Sequence, residues 1–245
     1  MAKKKKIHIG TSGWSYPHWQ GIFYPEGVKP KERLEYFSRF FNTVEINNSF
    51  YQLPSVKTFL SWKKKTGKNF LFSIKASRFI THIKRLKSVK DAWKKFLLRA
   101  KKLEEKLGPI LLQFPPSFKC DDKNFKRLEI FLNYINRNLK VAFEFRHQSW
   151  YCQKVKNILI RNQKAQVIAY SSEYPNKKLI TAPYIYIRMH GPEKLFSSNY
   201  NSNELKKLSA KIKKWPADEV FIYFNNDYKG YALENARFLK EELNS

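Results

Sequence analysis

Val141-Ala-Phe-Glu-Phe-Arg-His-Gln-Ser-Trp150 opens as an uninterrupted apolar run and closes on charge. A run without alternation suits a strand buried on both faces, as the strands of a parallel sheet are. Glu144, Arg146 and His147 then stand where the strand leaves the sheet, with Trp150 just beyond. Working outward, similar runs recur at residues 7–10, 43–51 (a strand with its exit), 70–75, 109–113, 165–170, 184–188 and 219–224. Between them lie apolar stripes at helical spacing. Leu34, Phe37, Phe40 and Phe41 make one after Pro30, and Val56, Phe59 and Leu60 make another after Ser55. A longer one runs from Ser88 through Trp93, Phe96, Leu103 and Leu107, with Gly108 as its stop. Others fall in 122–138, after Trp150, in 202–214 and at the C-terminal end.

Eight strands alternating with about seven helices predict an α/β chain forming a single (β/α)8 TIM-type barrel over residues 1–245. Residues 171–183 carry no helical periodicity, so the helix between the sixth and seventh strands is expected to be short or absent. An open doubly wound sheet is the competing architecture. No glycine-rich phosphate loop follows the first strand to support it.

The composition narrows the class. An apolar fraction of 42% with 16% aromatics is enough for a core and argues against disorder. Cys120 and Cys152 have neither CxxC nor Cys/His ligand spacing and read as reduced thiols. The start, Met1 to Lys6, is basic but lacks the apolar segment of a secretory signal. No run is long enough to span a membrane, so a cytoplasmic protein is expected. The charge stands out: 48 basic against 20 acidic residues, net +28. Such a field attracts polyanions, which makes nucleic acid a natural partner. Most of that charge is lysine spread over every predicted helix, where a solvated face accounts for it equally well.

In a barrel of this kind the working face is where strands end and helices have yet to begin. Glu45/Asn47, Glu144/Arg146 and Arg188/His190 are each two apart, a spacing that puts both members on one side of a strand. Simple mutual pairing, Glu45 with Lys75 and Glu144 with Arg146 or Arg188, is the bland alternative. Burying charge that way is costly, which favours a site. The expected catalytic groups are Glu45, Glu144, His147 and His190. The expected ligand-binding groups are Lys75, Arg146, Arg188, Asn47, Asn48, Tyr51, Gln113, Trp14, Trp150, Asn225 and Asp227. Arginine forks match phosphate geometry, and flat rings suit bases or sugars. A phosphate-bearing small molecule or nucleic acid is therefore the expected ligand, with phosphate-ester hydrolysis as the reaction if there is one. A non-catalytic anion-binding protein and a sugar-phosphate enzyme are the alternatives. No metal ligands and no cofactor are assigned. His82, His147, His190, Glu45 and Glu144 could supply divalent-metal ligands, but no HExxH-type spacing supports that.

Seven blocks in order carry a resemblance over nearly the whole chain. They are Gly10-Thr-Ser-Gly-Trp-Ser-Tyr16, Val44-Glu-Ile-Asn-Asn-Ser-Phe-Tyr51, Phe72-Ser-Ile-Lys-Ala76 with His82, Gln113-Phe-Pro-Pro116, Ala142-Phe-Glu-Phe-Arg-His147 with Trp150, Arg188-Met-His-Gly191 and Tyr223-Phe-Asn-Asn-Asp227. Together they resemble the domain of unknown function 72 family. The resemblance implies a TIM-barrel fold and signature residues at these positions, Asn226 among them, and it implies no settled activity. The family pattern carries an aspartate after the sixth strand, where this chain has Tyr170-Ser-Ser172. An acid role at that strand end is not expected.

Overall fold

The computed structural model describes residues 5–244; the lysines at 3 and 4 of the basic start lie outside them. Among the described residues nine strands and seven α-helices alternate. The strands are β1 (Lys6–Thr11), β2 (Thr43–Ile46), β3 (Leu71–Lys75), β4 (Leu107–Gln113), β5 (Val141–Glu144), β6 (Ala165–Gln166), β7 (Ile168–Ser171), β8 (Tyr184–Gly191) and β9 (Glu219–Phe224). The helices are α1 (Arg33–Ser38), α2 (Val56–Lys64), α3 (Lys90–Ala100), α4 (Asp122–Leu132), α5 (Gln153–Asn162), α6 (Ser202–Lys214) and α7 (Tyr231–Asn244). No helix lies between Ser171 and Tyr184, in keeping with the missing periodicity. No helix among the described residues is long and apolar enough to cross a membrane.

All strand pairs are parallel. They form a four-stranded sheet, β1-β9-β8-β7, and a five-stranded sheet, β2-β3-β4-β5-β6, where the sequence predicts one ring of eight. The expected sixth strand is divided at Val167. Its first half pairs with β5 and its second with β8, so one run of chain passes from sheet to sheet. On the other side, β1 and β2 approach closely. Asn42 accepts from the Ile9 amide (3.1 Å) and donates to the Ile7 carbonyl (3.0 Å), and an isolated bridge joins Ser12 to Glu45. The approach requires Gly10, because a Cβ there would sit 2.0 Å from the Thr43 carbonyl oxygen.

The helix signals behave as their chemistry dictates. Ser55 accepts from the Thr58 amide (3.1 Å), and Asn201 with Glu204 closes a reciprocal capping box at the start of α6. The stripes Trp93, Phe96 and Ala100 of α3 and Leu128, Phe131 and Leu132 of α4 are buried against the sheets. Each large side chain so buried contributes about 1.5–3 kcal/mol of transfer free energy. The apolar stripe after Ser88 predicts a helix as far as Leu107. The helix ends instead at Ala100, a tight turn follows, and Glu104 takes φ 51°. Gly108 thus belongs to β4 and does not stop a helix; a Cβ there would lie 3.1 Å from the Phe72 carbonyl oxygen.

Candidate functional site: a buried Glu–Arg–Glu floor

Strand periodicity decides which side chains meet. One set of alternate residues packs outward under the helices, among them Val44, Ile74, Phe143, Ile187 and Ile222. The other set faces across the gap between the sheets. Deep in that gap the His8 ring stacks on Phe221 at 4.8 Å and its Nε2 lies 2.9 Å from Glu219, a structural contact. Tyr184, in register with Glu219, bridges to both backbone groups of Val141, and nearer the strand exits Tyr223 meets the Thr43 hydroxyl at 2.8 Å.

At the strand exits the facing residues are charged. Arg188 presents Nε and Nη2 side-on to Glu45 at 2.9 and 2.7 Å, and its Nη1 donates to Glu144 at 2.6 Å. The two-toothed geometry toward Glu45 is the arrangement in which a guanidinium binds a carboxylate most strongly. Glu45 also accepts from Ser12 (2.7 Å), Tyr186 (2.8 Å) and Asn47 (3.3 Å). Glu144 accepts from Arg146 Nε (3.2 Å) and lies 3.2 Å from His190 Nε2. Glu45, Glu144, Arg188 and His190 are at most 1% exposed.

Burial alone would raise both carboxyls. The Arg188 charge and the surrounding donors outweigh it, holding Glu45 below the usual glutamate range and Glu144, which also feels Arg146, well below. Burial and then the Arg188 charge push His190 down, against the pull of Glu144. A neutral His190 fits the contacts: Nε2–H donates to Glu144, and Nδ1 accepts from the Asn225 amide at 3.2 Å.

This geometry revises several expected roles. Glu45 and Glu144 are weak bases whose oxygens are already engaged, and Arg188, expected to hold a ligand anion, is spent between them. The three form a floor that fixes the residues above it. Trp150 is fully buried, donates to the Phe118 carbonyl (2.6 Å) and stacks on Phe145 at 4.3 Å, so it is a core anchor and offers no face to a ligand. Asp227 accepts from the Trp19 indole (2.7 Å) and pairs with His18 (3.0 Å) away from the floor; burial raises it to about 6. Asn226 ties down Ser198 and Asn235. Tyr51 is 81% exposed, and Asn48 is exposed beside it. His147 caps a turn, Nδ1 lying 3.1 Å from the Ser149 amide. Gln113 is buried in register with Glu144.

Two cations remain above the floor. Arg146 lies face-on to Tyr174 at 4.0 Å, Nη1 donates to that hydroxyl at 3.2 Å, and Nη2 makes no hydrogen bond among the described residues. Lys75, at the end of β3, rests its Nζ over the Phe50 ring at 4.2 Å, and that Nζ makes neither hydrogen bond nor ion pair among the described residues. Burial first, and then the Arg188 and Arg146 charges, lower this amine to about 7 against the opposing pull of Glu144 and Glu45. His82 packs edge-on against the same Phe50 ring at 4.8 Å. Burial, then Lys75, Arg146, Arg78 and Arg85, depress it to about 4. The ring thus titrates in a strongly positive field. Beside the floor, a cavity of about 200 Å³ is lined by Ser12, Trp14, Tyr16, Asn47 and Asn48, and Asn47 Oδ1 is a buried acceptor with no partner among the described residues. Trp14 keeps its place there, packed edge-on against Trp62. A larger groove of about 300 Å³ lies beside α6, lined by Tyr170, Met189, Tyr200 and Lys207, apart from the floor.

Among the described residues no three of His, Cys, Asp and Glu are gathered to hold a metal ion; the histidine–carboxylate contact His190–Glu144 is shared with Arg188. Tyr186 and Tyr174 are among the site residues absent from the sequence-based set. Tyr186 has a signal, standing two before Arg188 on one strand face. Tyr174 has none, because it lies in the aperiodic segment after β7.

Parallel strands backed by helices, with a buried Glu–Arg–Glu cluster at their exits, place the molecule among α/β proteins that carry their charge at one end of the sheets. The chain belongs to the family described as protein of unknown function DUF72, whose model matches residues 8–245. It is 25% identical to the UPF0759 protein YunF of Bacillus subtilis over 97% of this chain and 94% of that one. It is 30% identical to the UPF0759 protein YecE of Escherichia coli K12 over 60% of this chain and 51% of that one. The crystal structure of a DUF72 family protein from Thermotoga maritima superposes with a TM-score of 0.89 at 31% identity, covering 98% of this chain and 100% of that one. One from Enterococcus faecalis gives 0.83 at 26% identity, covering 98% and 96%.

Proposed function

We propose that the protein binds a small phosphate-bearing ligand above the Glu45–Arg188–Glu144 floor, with Arg146 as its anion-holding group. The observation that carries this reading is the geometry of Arg146, whose Nε donates to Glu144 and Nη1 to Tyr174 while Nη2 is left without a partner among the described residues; the depressed half-buried imidazole of His82 nearby is consistent with a positive field. Arg188 and Arg146 balance the two carboxylates, and Arg78 and Arg85 near His82 are left as an excess that an anion would settle. Arg146 has an Nη2 without a partner among the described residues, and Asn47 Oδ1 would accept from a ligand hydroxyl. We also take the two sheets to be halves of one (β/α)8-type barrel. The Asn42 cross-links, the Ser12–Glu45 bridge and the continuous run through Val167 support closure on both sides.

The reading favours recognition over phosphate-ester hydrolysis, since both glutamates are buried and held ionised by Arg188, which makes them weak bases. Calorimetric titration with inorganic phosphate and with a sugar phosphate tests it. Arg146→Gln should weaken binding about 10- to 100-fold, the worth of a charge-assisted hydrogen bond. An unchanged affinity would remove the site. A single-stranded oligonucleotide binding more tightly than the sugar phosphate, with the same loss in Arg146→Gln, would identify the phosphate as part of a nucleic acid.

A further inference from the structure

We propose that Lys75 is an amine nucleophile that forms an imine with the carbonyl carbon of an aldehyde or ketone whose anionic group is held by Arg146. This rests on the anion-binding reading above and names the class of ligand: a small carbonyl compound bearing phosphate.

Other buried lysines of this chain set the contrast. Lys164 donates to three carbonyls, of Asn136, Arg137 and Leu139, at 3.2, 2.9 and 2.9 Å. Lys106 donates to the Lys63 and Thr66 carbonyls at 2.7 Å each. Both ammonium groups close off loop backbone and so hold structure together. Lys75 holds nothing in this way. Its Nζ touches no acceptor among the described residues, only the face of Phe50.

The pairing with Glu45 that the sequence suggests fails for a stated reason. Arg188, Ser12, Tyr186 and Asn47 already fill the Glu45 oxygens, while Arg188, Arg146 and His190 take those of Glu144. An unpaired amine, half-buried and facing Arg188 and Arg146, is held toward its free-base form near neutrality. That is how lysines are made nucleophilic: by desolvation and a neighbouring cation. Its place at the end of β3, at the strand exits with Arg146, puts the amine where a ligand anchored by its anion would present a carbonyl.

The step balances without any further reagent. The nitrogen lone pair attacks the carbonyl carbon, the C=O π pair moves to oxygen, and a proton passes from nitrogen to that oxygen to give a carbinolamine. The nitrogen lone pair then forms C=N as the hydroxyl leaves as water with a proton from solvent, and the nitrogen returns its remaining proton to solvent. The net change is amine plus carbonyl giving imine plus one water.

The test uses the full chain with pyridoxal 5′-phosphate as a phosphate-bearing aldehyde, cyanoborohydride as the trap and peptide mass spectrometry as the readout. Near pH 7, with ligand no more than equimolar, Lys75 should be modified at least about tenfold faster than exposed lysines such as Lys57 and Lys84. Inorganic phosphate and Arg146→Gln should each slow it, and Lys75→Met should abolish it. Should Lys75→Met fail to fold, the pH dependence of labelling in the unaltered protein decides instead: a midpoint near 7 at Lys75 is expected. Labelling no faster than at Lys57 or Lys84 overturns the proposal. Phosphate binding that depends on Arg146, without trapping at Lys75, would overturn the covalent role and leave the anion site standing. Loss of both would remove both.

Discussion

Replacing Arg188 by methionine would take away the one cation shared by two buried carboxylates. Removing one partner of a buried ion pair costs about 3–5 kcal/mol, because the remaining charge is left uncompensated. The two carboxylates should not respond alike. Glu144 keeps Arg146 at 3.2 Å and its contact with His190, whereas Glu45 keeps only the neutral donors Ser12, Tyr186 and Asn47. Glu45 is therefore the carboxyl expected to take up a proton. In the intact protein its pKa lies below the ordinary value of 4.5, so it contributes stability above that value, lost as pH falls through the lower one. In Arg188→Met, burial prevails and the sign reverses. The folded state now binds the extra proton, and stability falls as pH rises through the raised pKa. The slope is about 1.4 kcal/mol per pH unit for one proton. Urea unfolding followed by circular dichroism between pH 5 and pH 8 measures both quantities. The double variant Arg188→Met/Glu45→Gln should lose the new slope. A single variant with unchanged midpoint and unchanged pH dependence would refute the floor as a coupled unit.

Three further outcomes are expected. Gly10→Ala should cost about 3 kcal/mol or prevent folding, since its Cβ would meet the Thr43 backbone, whereas Gly67→Ala, with nothing within 4 Å, should be nearly neutral in thermal melts. Trp150→Phe should cost about 1–3 kcal/mol by orphaning the Phe118 carbonyl. It should leave phosphate affinity unchanged, an effect on affinity being the result that would return Trp150 to the site. Asp227 is raised from 3.8 to about 6, so its stabilising contribution is present at low pH and lost as pH climbs through 6. Asp227→Asn keeps an acceptor for Trp19 and should flatten the pH dependence of Tm across that window; an unaltered profile would argue against the shift.

The strand and helix content followed from local pattern. Apolar runs of strand length and stripes at helical spacing record burial directly, and Ser55 announced its helix start. Spacing by two also placed Glu45 with Asn47 and Arg188 with His190 on facing sides, because the alternation of a strand is a local property. Whether Lys75 or Arg188 would answer Glu45 was not local. It depended on which guanidinium reached across the gap between sheets, and on donors from Ser12 and Tyr186 arriving from other strands. Trp150 shows the same limit: beside a polar strand end it reads as a ligand face, yet the loop carrying Phe118 covers it. The sequence by itself determined the parallel α/β plan and which side chains face inward, since both are written in the periodicity of single strands. Only the tertiary structure decided which charges neutralise one another and which amine is left without a partner, because that is settled by distances between segments remote along the chain.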